Sequence, residues 1–190
     1  MKTTTVGILT VGGLLFLLAM GGLFGFIGFQ NESNGYENGI RAQYDNNRNV
    51  YDNGWKKVSE TAQVPEMATD QLKKLYDTAM TGRYGEDGSR AMLQFIKEQN
   101  PTIDGTLFRQ IQQAIEAFRN QFQQAQTELV ARRQSYQNFL TANTSSRFYN
   151  WISGGSYPKI DLTKYDIVTS DKTETDFDTK RAEPLKLNNK

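Results

Sequence analysis

The sequence predicts an all-α protein: an N-terminal transmembrane helix, then an antiparallel helical bundle with long helices, then an extended C-terminal tail. Three observations carry that prediction. Positions 6–29 hold an uncharged apolar run, and Leu107, Ile111, Ile115, Phe118, Phe122, Ala125, Leu129, Tyr136 and Leu140 recur mostly at steps of three and four. Ile40, Tyr44, Tyr51, Trp55, Val58 and Ala62 repeat the same spacing earlier in the chain. An amphipathic stripe does not stand alone in water, so the two long stripes are expected to pack on each other.

Composition narrows the function classes. With 190 residues and a formal charge of +1, the chain has room for about one soluble domain and lacks the basic bias of a nucleic-acid binder. It contains no cysteine and no histidine, which excludes disulfides, thiolate nucleophiles, lipoprotein anchoring through cysteine, histidine-dependent triads and histidine-based zinc sites.

From the start of the chain, Val6 to Phe29 exceeds the roughly 20 apolar residues a helix needs to cross the hydrocarbon core, and the roughly 7–15 of a signal-peptide h-region. Ala19-Met20-Gly21 could pass as a cleavage site, but the positive end is thin, and the run is expected to be retained as an anchor. Lys2 precedes the span, whereas Glu32 and Glu37 are the first charges after it, so the short N-terminus is expected in the cytoplasm and the bulk outside. Gly21 and Gly25 have the spacing of a close helix–helix approach, a pattern that chance matches in a glycine-rich run reproduce easily.

Residues 31–39 are polar and turn-rich and read as a spacer off the membrane. A helix over Ile40–Ala62 follows and ends at Gln63-Val64-Pro65, because proline disfavours helix in the residue before it. Pro65 can open the next helix, with Met67, Leu72, Leu75, Tyr76, Ala79 and Met80 as its buried face up to Gly82. Positions 82–88 carry three glycines in no Walker or dinucleotide-binding pattern and read as a helix–helix turn. Asp87 or Ser89 can cap a helix bearing Ala91, Met92, Phe95 and Ile96, which Asn100-Pro101 closes. Asp104 or Thr106 caps the long helix that ends near Leu140. Phe148, Tyr149, Trp151 and Ile152 then cluster before Gly154-Gly155, either capping the bundle, which is the commoner use of such rings, or touching the membrane with Arg147 near headgroups. The chain thus divides into a head and span over 1–30, a spacer over 31–39, a bundle over 40–155 and an extended or disordered tail over 156–190.

Two short segments carry a family resemblance. Asp52-Asn53-Gly54-Trp55 with Val58 resembles the Asp-Asn-Ala-Trp-x-x-Ile signature in the first long helix of the LemA family, and Arg133-Gln134-Ser135-Tyr136 resembles the Ala-Arg-x-x-Tyr-Asn segment of its last. The order of span, antiparallel helices and loose tail also agrees. The chain departs where the family's Leu-x-Arg-Arg segment is missing, where Val64-Pro65-Glu66-Met67 stands closer to the tryptophan, and where Gln137 replaces asparagine, so it resembles a divergent member. The resemblance implies an anchored helical bundle and supplies no catalytic residue.

The expected function is that of a membrane-anchored, non-catalytic structural or protein-interaction protein of the cell envelope. Its partners are the lipid bilayer through residues 6–29 and another envelope protein, not nucleic acid; no catalytic, cofactor-binding or metal-binding residue is expected. The alternative is a carboxylate-dependent envelope hydrolase, which needs two Asp or Glu side chains about 5–9.5 Å apart across a cleft. Glu116 and Glu128 lie roughly 18 Å apart along one helix, and Glu86, Asp87 and Asp104 fall in turns where capping explains them. A concave groove with two convergent carboxylates would favour the hydrolase.

Overall fold

A computed structural model describes residues 2–81, 85–169 and 178–179. Among them are five α-helices and no strand: α1 (Lys2–Ala62), α2 (Thr69–Thr81), α3 (Gly85–Gln99), α4 (Gly105–Ala142) and α5 (Thr144–Ile152), with 3-10 turns at Glu66–Ala68 and Leu162–Tyr165. The expected all-α class and the apolar N-terminal helix are both present. The chain forms two compact units, one from Met1–Ala42 with Ala131–Tyr165, the other from Gln43–Val130 with Asp166–Lys190. Both α1 and α4 contribute to each.

The second unit holds the larger apolar core. Val58 and Ala62 of α1, Leu72, Tyr76, Ala79 and Met80 of α2, Met92, Phe95 and Ile96 of α3, and Ile111, Ile115 and Phe122 of α4 are all buried in one cluster. Within this unit α1 and α4 run antiparallel: Gln43 Nε2 donates to the Ala125 carbonyl at 3.0 Å, the Tyr51 ring lies 5.4 Å from Phe122, and Gly54 faces Phe118. Each aliphatic or aromatic side chain withdrawn from water there contributes about 1.5–3 kcal/mol before the entropy cost of folding. The α4 stripe lies where its spacing put it, with Ile111, Ile115, Phe122, Ala125 and Leu129 buried.

Gly54 is a point of close approach. A Cβ added there would stand 2.9 Å from Phe118 Cγ and would run into the Tyr76 hydroxyl. Alanine ordinarily gains about 1 kcal/mol over glycine inside a helix. Here overpacking, which costs about 1–3 kcal/mol, outweighs that gain. Gly54→Ala is therefore expected to lower the midpoint of chemical unfolding, and a raised midpoint would show that the two helices stand further apart.

The first unit has an aromatic core. Phe29, Ile40, Tyr136, Phe139, Leu140, Tyr157 and Ile160 are buried, with Phe29 stacked 5.8 Å from Phe139 and edge-on at 5.1 Å to Tyr157. Tyr36 stacks on Tyr136 at 5.4 Å.

Several expectations need correction. Residues 31–39 are not a spacer, because α1 passes through them without a break. Their inward positions are Ser33 and Glu37, polar side chains that are nonetheless buried, so no apolar period marks them. The tail is not wholly loose: Tyr157 and Ile160 are buried, the Lys159 N–H donates to Glu37 Oε1 at 2.7 Å, and in the second unit the Val168 N–H donates to Gln126 Oε1 at 2.8 Å. Residues 170–177 and 180–190 of that expected tail lie outside the described residues. Met67 is 93% exposed, since a 3-10 turn separates Pro65 from α2 and turns this side chain outward. Helix α3 opens at Gly85, so Asp87, Gly88 and Ser89 stand within it rather than in a turn; positions 82–84 lie outside the described residues. Trp55 is only half-buried, packed against the core through Tyr76 at 5.7 Å.

Candidate functional site

The apolar run that opens α1 keeps the same character in three dimensions. Among the described residues one helix, from Thr10 onward, is long and apolar enough to cross a membrane, and its most apolar window has none of its residues buried. Leu14, Leu15, Phe16, Leu17, Leu18 and Phe24 are each more than half exposed, Leu17 at 68%. Burying such side chains is worth about 1.5–3 kcal/mol apiece, so this surface is strongly unfavourable in water and favourable in hydrocarbon.

Helix α5 packs beside the end of that run, within the same unit. Asn143 caps it, its Oδ1 accepting from the Ser145 N–H at 3.0 Å and the Ser146 N–H at 3.4 Å. Two left-handed glycines, Gly154 at φ 74° and Gly155 at φ 72°, turn the chain after it, and the Gly155 N–H donates to the Asn150 carbonyl at 2.8 Å. Asn150 then holds the returning chain, donating to the Tyr157 carbonyl at 3.1 Å and accepting the Tyr157 N–H at 3.2 Å. Tyr149 reaches α1, its ring 6.2 Å from Phe26 and 6.1 Å from Phe29. A Cβ on Gly25 would meet the same ring, with Tyr149 Cζ only 2.8 Å away. Of the sequence's two spaced glycines, Gly25 thus makes room for a tyrosine of its own chain, while Gly21 faces open space.

The aromatic group does not close the bundle as the commoner reading expects. Tyr149 is half-buried, but Phe148 is 54%, Trp151 76% and Ile152 51% exposed, and Arg147 is exposed beside them. The ring that caps the unit's core is Tyr157, which lies in what the sequence reads as tail.

A buried carboxylate braces this region. Glu37 Oε1 accepts from the Tyr136 hydroxyl at 2.8 Å and from the Lys159 N–H at 2.7 Å, and Lys159 Nζ stands 4.6 Å from the centre of the Tyr157 ring. Two donors for one buried carboxylate offset much of the cost of taking the charge out of water. Burial first, and the bond to Glu37 second, push the Tyr136 phenol far above its ordinary range. In the second unit the Tyr51 hydroxyl donates to Asp77, and Lys73 Nζ pairs with the same oxygen at 2.8 Å while lying 4.3, 5.1 and 5.2 Å from the Tyr51, Trp55 and Tyr76 ring centres. Burial, aided by Asp77, raises the phenols of Tyr51 and Tyr76 as well. A raised phenol binds its proton more tightly in the folded state. The stability this carries is complete below about pH 10, where unfolded tyrosine titrates, and is lost as pH rises beyond it. Phenolate absorbance is thus expected to rise in two stages on alkaline titration, with these three rings ionising only as the helices unfold; a single stage near pH 10 would place them in water.

Among the described residues the second unit carries grooves between its helices. One, of about 500 Å³, is lined by Ser89, Arg90, Leu93, Gln112, Glu116, Arg119 and Asn120. Another, of about 270 Å³, brings together Tyr44, Arg48, Tyr51, Asp52, Phe122, Gln126, Asp166 and Val168. Asp52 and Asp166 are two carboxylates in one groove, a pairing the sequence does not reveal because Asp166 arrives on the folded-back tail. Both side chains are exposed, and Asp166 Oδ1 accepts from the Ile167 N–H at 2.8 Å. Glu116 lies in the first groove, Glu128 is exposed on α4, and Asp104 caps α4 by accepting from the Thr106 N–H at 3.2 Å. The side chains of Glu86 and Asp87 lie outside the described residues. Among the described residues no three Asp or Glu side chains group closely enough to hold a metal ion. The sequence matches no protein-family model, no curated protein and no solved structure.

Proposed function

We propose that the protein is a membrane-anchored, non-catalytic structural or protein-interaction protein of the cell envelope, LemA-like, held by residues 6–29 with its short N-terminus cytoplasmic and its helices extracytoplasmic. The observation that carries the reading is the wholly exposed apolar window of α1, which only lipid or an equally apolar surface can cover. Glutamine- and asparagine-rich outer faces on α4 suit contacts with another envelope protein. The absence of native cysteine makes the orientation directly testable. With Gln124→Cys, an impermeant maleimide is expected to label intact cells, and with Thr4→Cys only lysed ones; the reverse pattern overturns the orientation. Crosslinking in native membranes should capture one envelope protein at a fixed ratio, and recovery of the chain alone speaks against an interaction role.

The groove holding Asp52 and Asp166 supports a second reading, a carboxylate-dependent envelope hydrolase. The exposure of both side chains weighs against it, because the acid of such a pair works from a sheltered pocket. Release of reducing ends from envelope glycans, abolished by Asp52→Asn, would establish it.

A further inference from the structure

Within the first unit the exposed apolar surface does not end with the span. We propose that α5 is a second membrane contact: an interfacial helix that lays Phe148, Trp151 and Ile152 into the headgroup and upper acyl region of the bilayer that takes residues 6–29. This rests on the anchor reading above and adds a separate lipid-binding surface to it.

At 100° per residue, buried Ser146 and half-buried Tyr149, Asn150 and Ser153 share one side of α5, while Phe148, Trp151 and Ile152 share the opposite side. The inner side is occupied by the unit's own core. The outer side offers three large apolar groups, with the Arg147 side chain exposed at their edge.

The level of α5 along α1 identifies the occupant. About 20 helical residues cross the hydrocarbon core, so a span that opens at Val6 leaves it near Gly25. Exposure of the apolar side chains ends within about one turn of that point: Ile27 is still 43% exposed, whereas Phe29 is 5%. Tyr149 seats on Gly25 and against Phe26 and Phe29, which fixes α5 at that level. The outer face therefore stands where hydrocarbon gives way to headgroups, the zone that tryptophan favours and where an arginine can meet lipid phosphate. With Tyr149 wedged against the span on one side and Trp151 in lipid on the other, α5 sets the depth at which the span ends.

The test uses the full chain with Trp55→Phe, so that Trp151 is the one indole, reconstituted into phosphatidylcholine–phosphatidylglycerol vesicles whose acyl chains carry bromine at defined depths. Trp151 emission is expected to be blue-shifted and quenched most by the shallowest bromines. A companion chain with Trp55→Phe, Trp151→Phe and Phe16→Trp reports the span and is expected to be quenched most by the deepest. Deep quenching in the companion with none for Trp151 at any depth overturns the proposal and leaves the anchor standing. A blue shift without quenching counts in the same direction, since it means that protein, such as a second copy, covers the face. Failure of quenching in both chains overturns the anchor reading, and this inference with it.

Discussion

Replacing Tyr136 with alanine is expected to cost the first unit about 3–5 kcal/mol, the range for deleting a fully buried aromatic side chain. The ring is completely buried and stacks on Tyr36, and its hydroxyl is one of the two donors that hold Glu37 Oε1. Tyr136→Phe separates the two contributions. It keeps the stacking and removes one donor from a buried carboxylate, which costs about 1–3 kcal/mol. Urea unfolding of the detergent-solubilised chain, followed by helical circular dichroism, measures both. An alanine variant no less stable than the parent would mean that α1 and α4 do not meet at this level.

The second large effect is expected at Tyr76, in the other unit. Tyr76 is fully buried, lies edge-on to Tyr51 at 5.3 Å and donates to the Tyr51 carbonyl at 2.9 Å. Tyr76→Ala is expected to cost about 3–5 kcal/mol, and Trp55→Ala less, because Trp55 is only half-buried against the same ring. The order of the two variants is the decisive result. A larger loss from Trp55→Ala would place the tryptophan in the core and Tyr76 at its edge.

Where the sequence was legible, one physical signal dominated its neighbourhood. The α4 stripe from Ile111 to Leu140 and the apolar run of α1 were readable because most inward or lipid-facing positions carry an apolar side chain. Between Phe29 and Ile40 the same inward stripe continues through Ser33 and Glu37, and hydrophobic periodicity is blind to polar residues that face inward. Glu37 finds its partners in Tyr136 and in the Lys159 N–H, far along the chain, so nothing local announced them. The tail shows the same limit: the N–H groups of Lys159 and Val168 dock on single polar side chains, which leave no period to read. The aromatic group of α5 was visible as composition, but which rings face inward depends on where Gly25 lets Tyr149 sit.

The central claim is that residues 6–29 hold the protein in a bilayer, and alkaline carbonate extraction joined to intact-mass measurement tests it most directly. Alkaline carbonate strips chains held at a membrane only by surface contacts, whereas an apolar span stays in lipid. The expected result is a membrane pellet that retains the chain at its full 21.6 kDa. Release into the supernatant, or a mass lacking the N-terminal apolar segment, would contradict it.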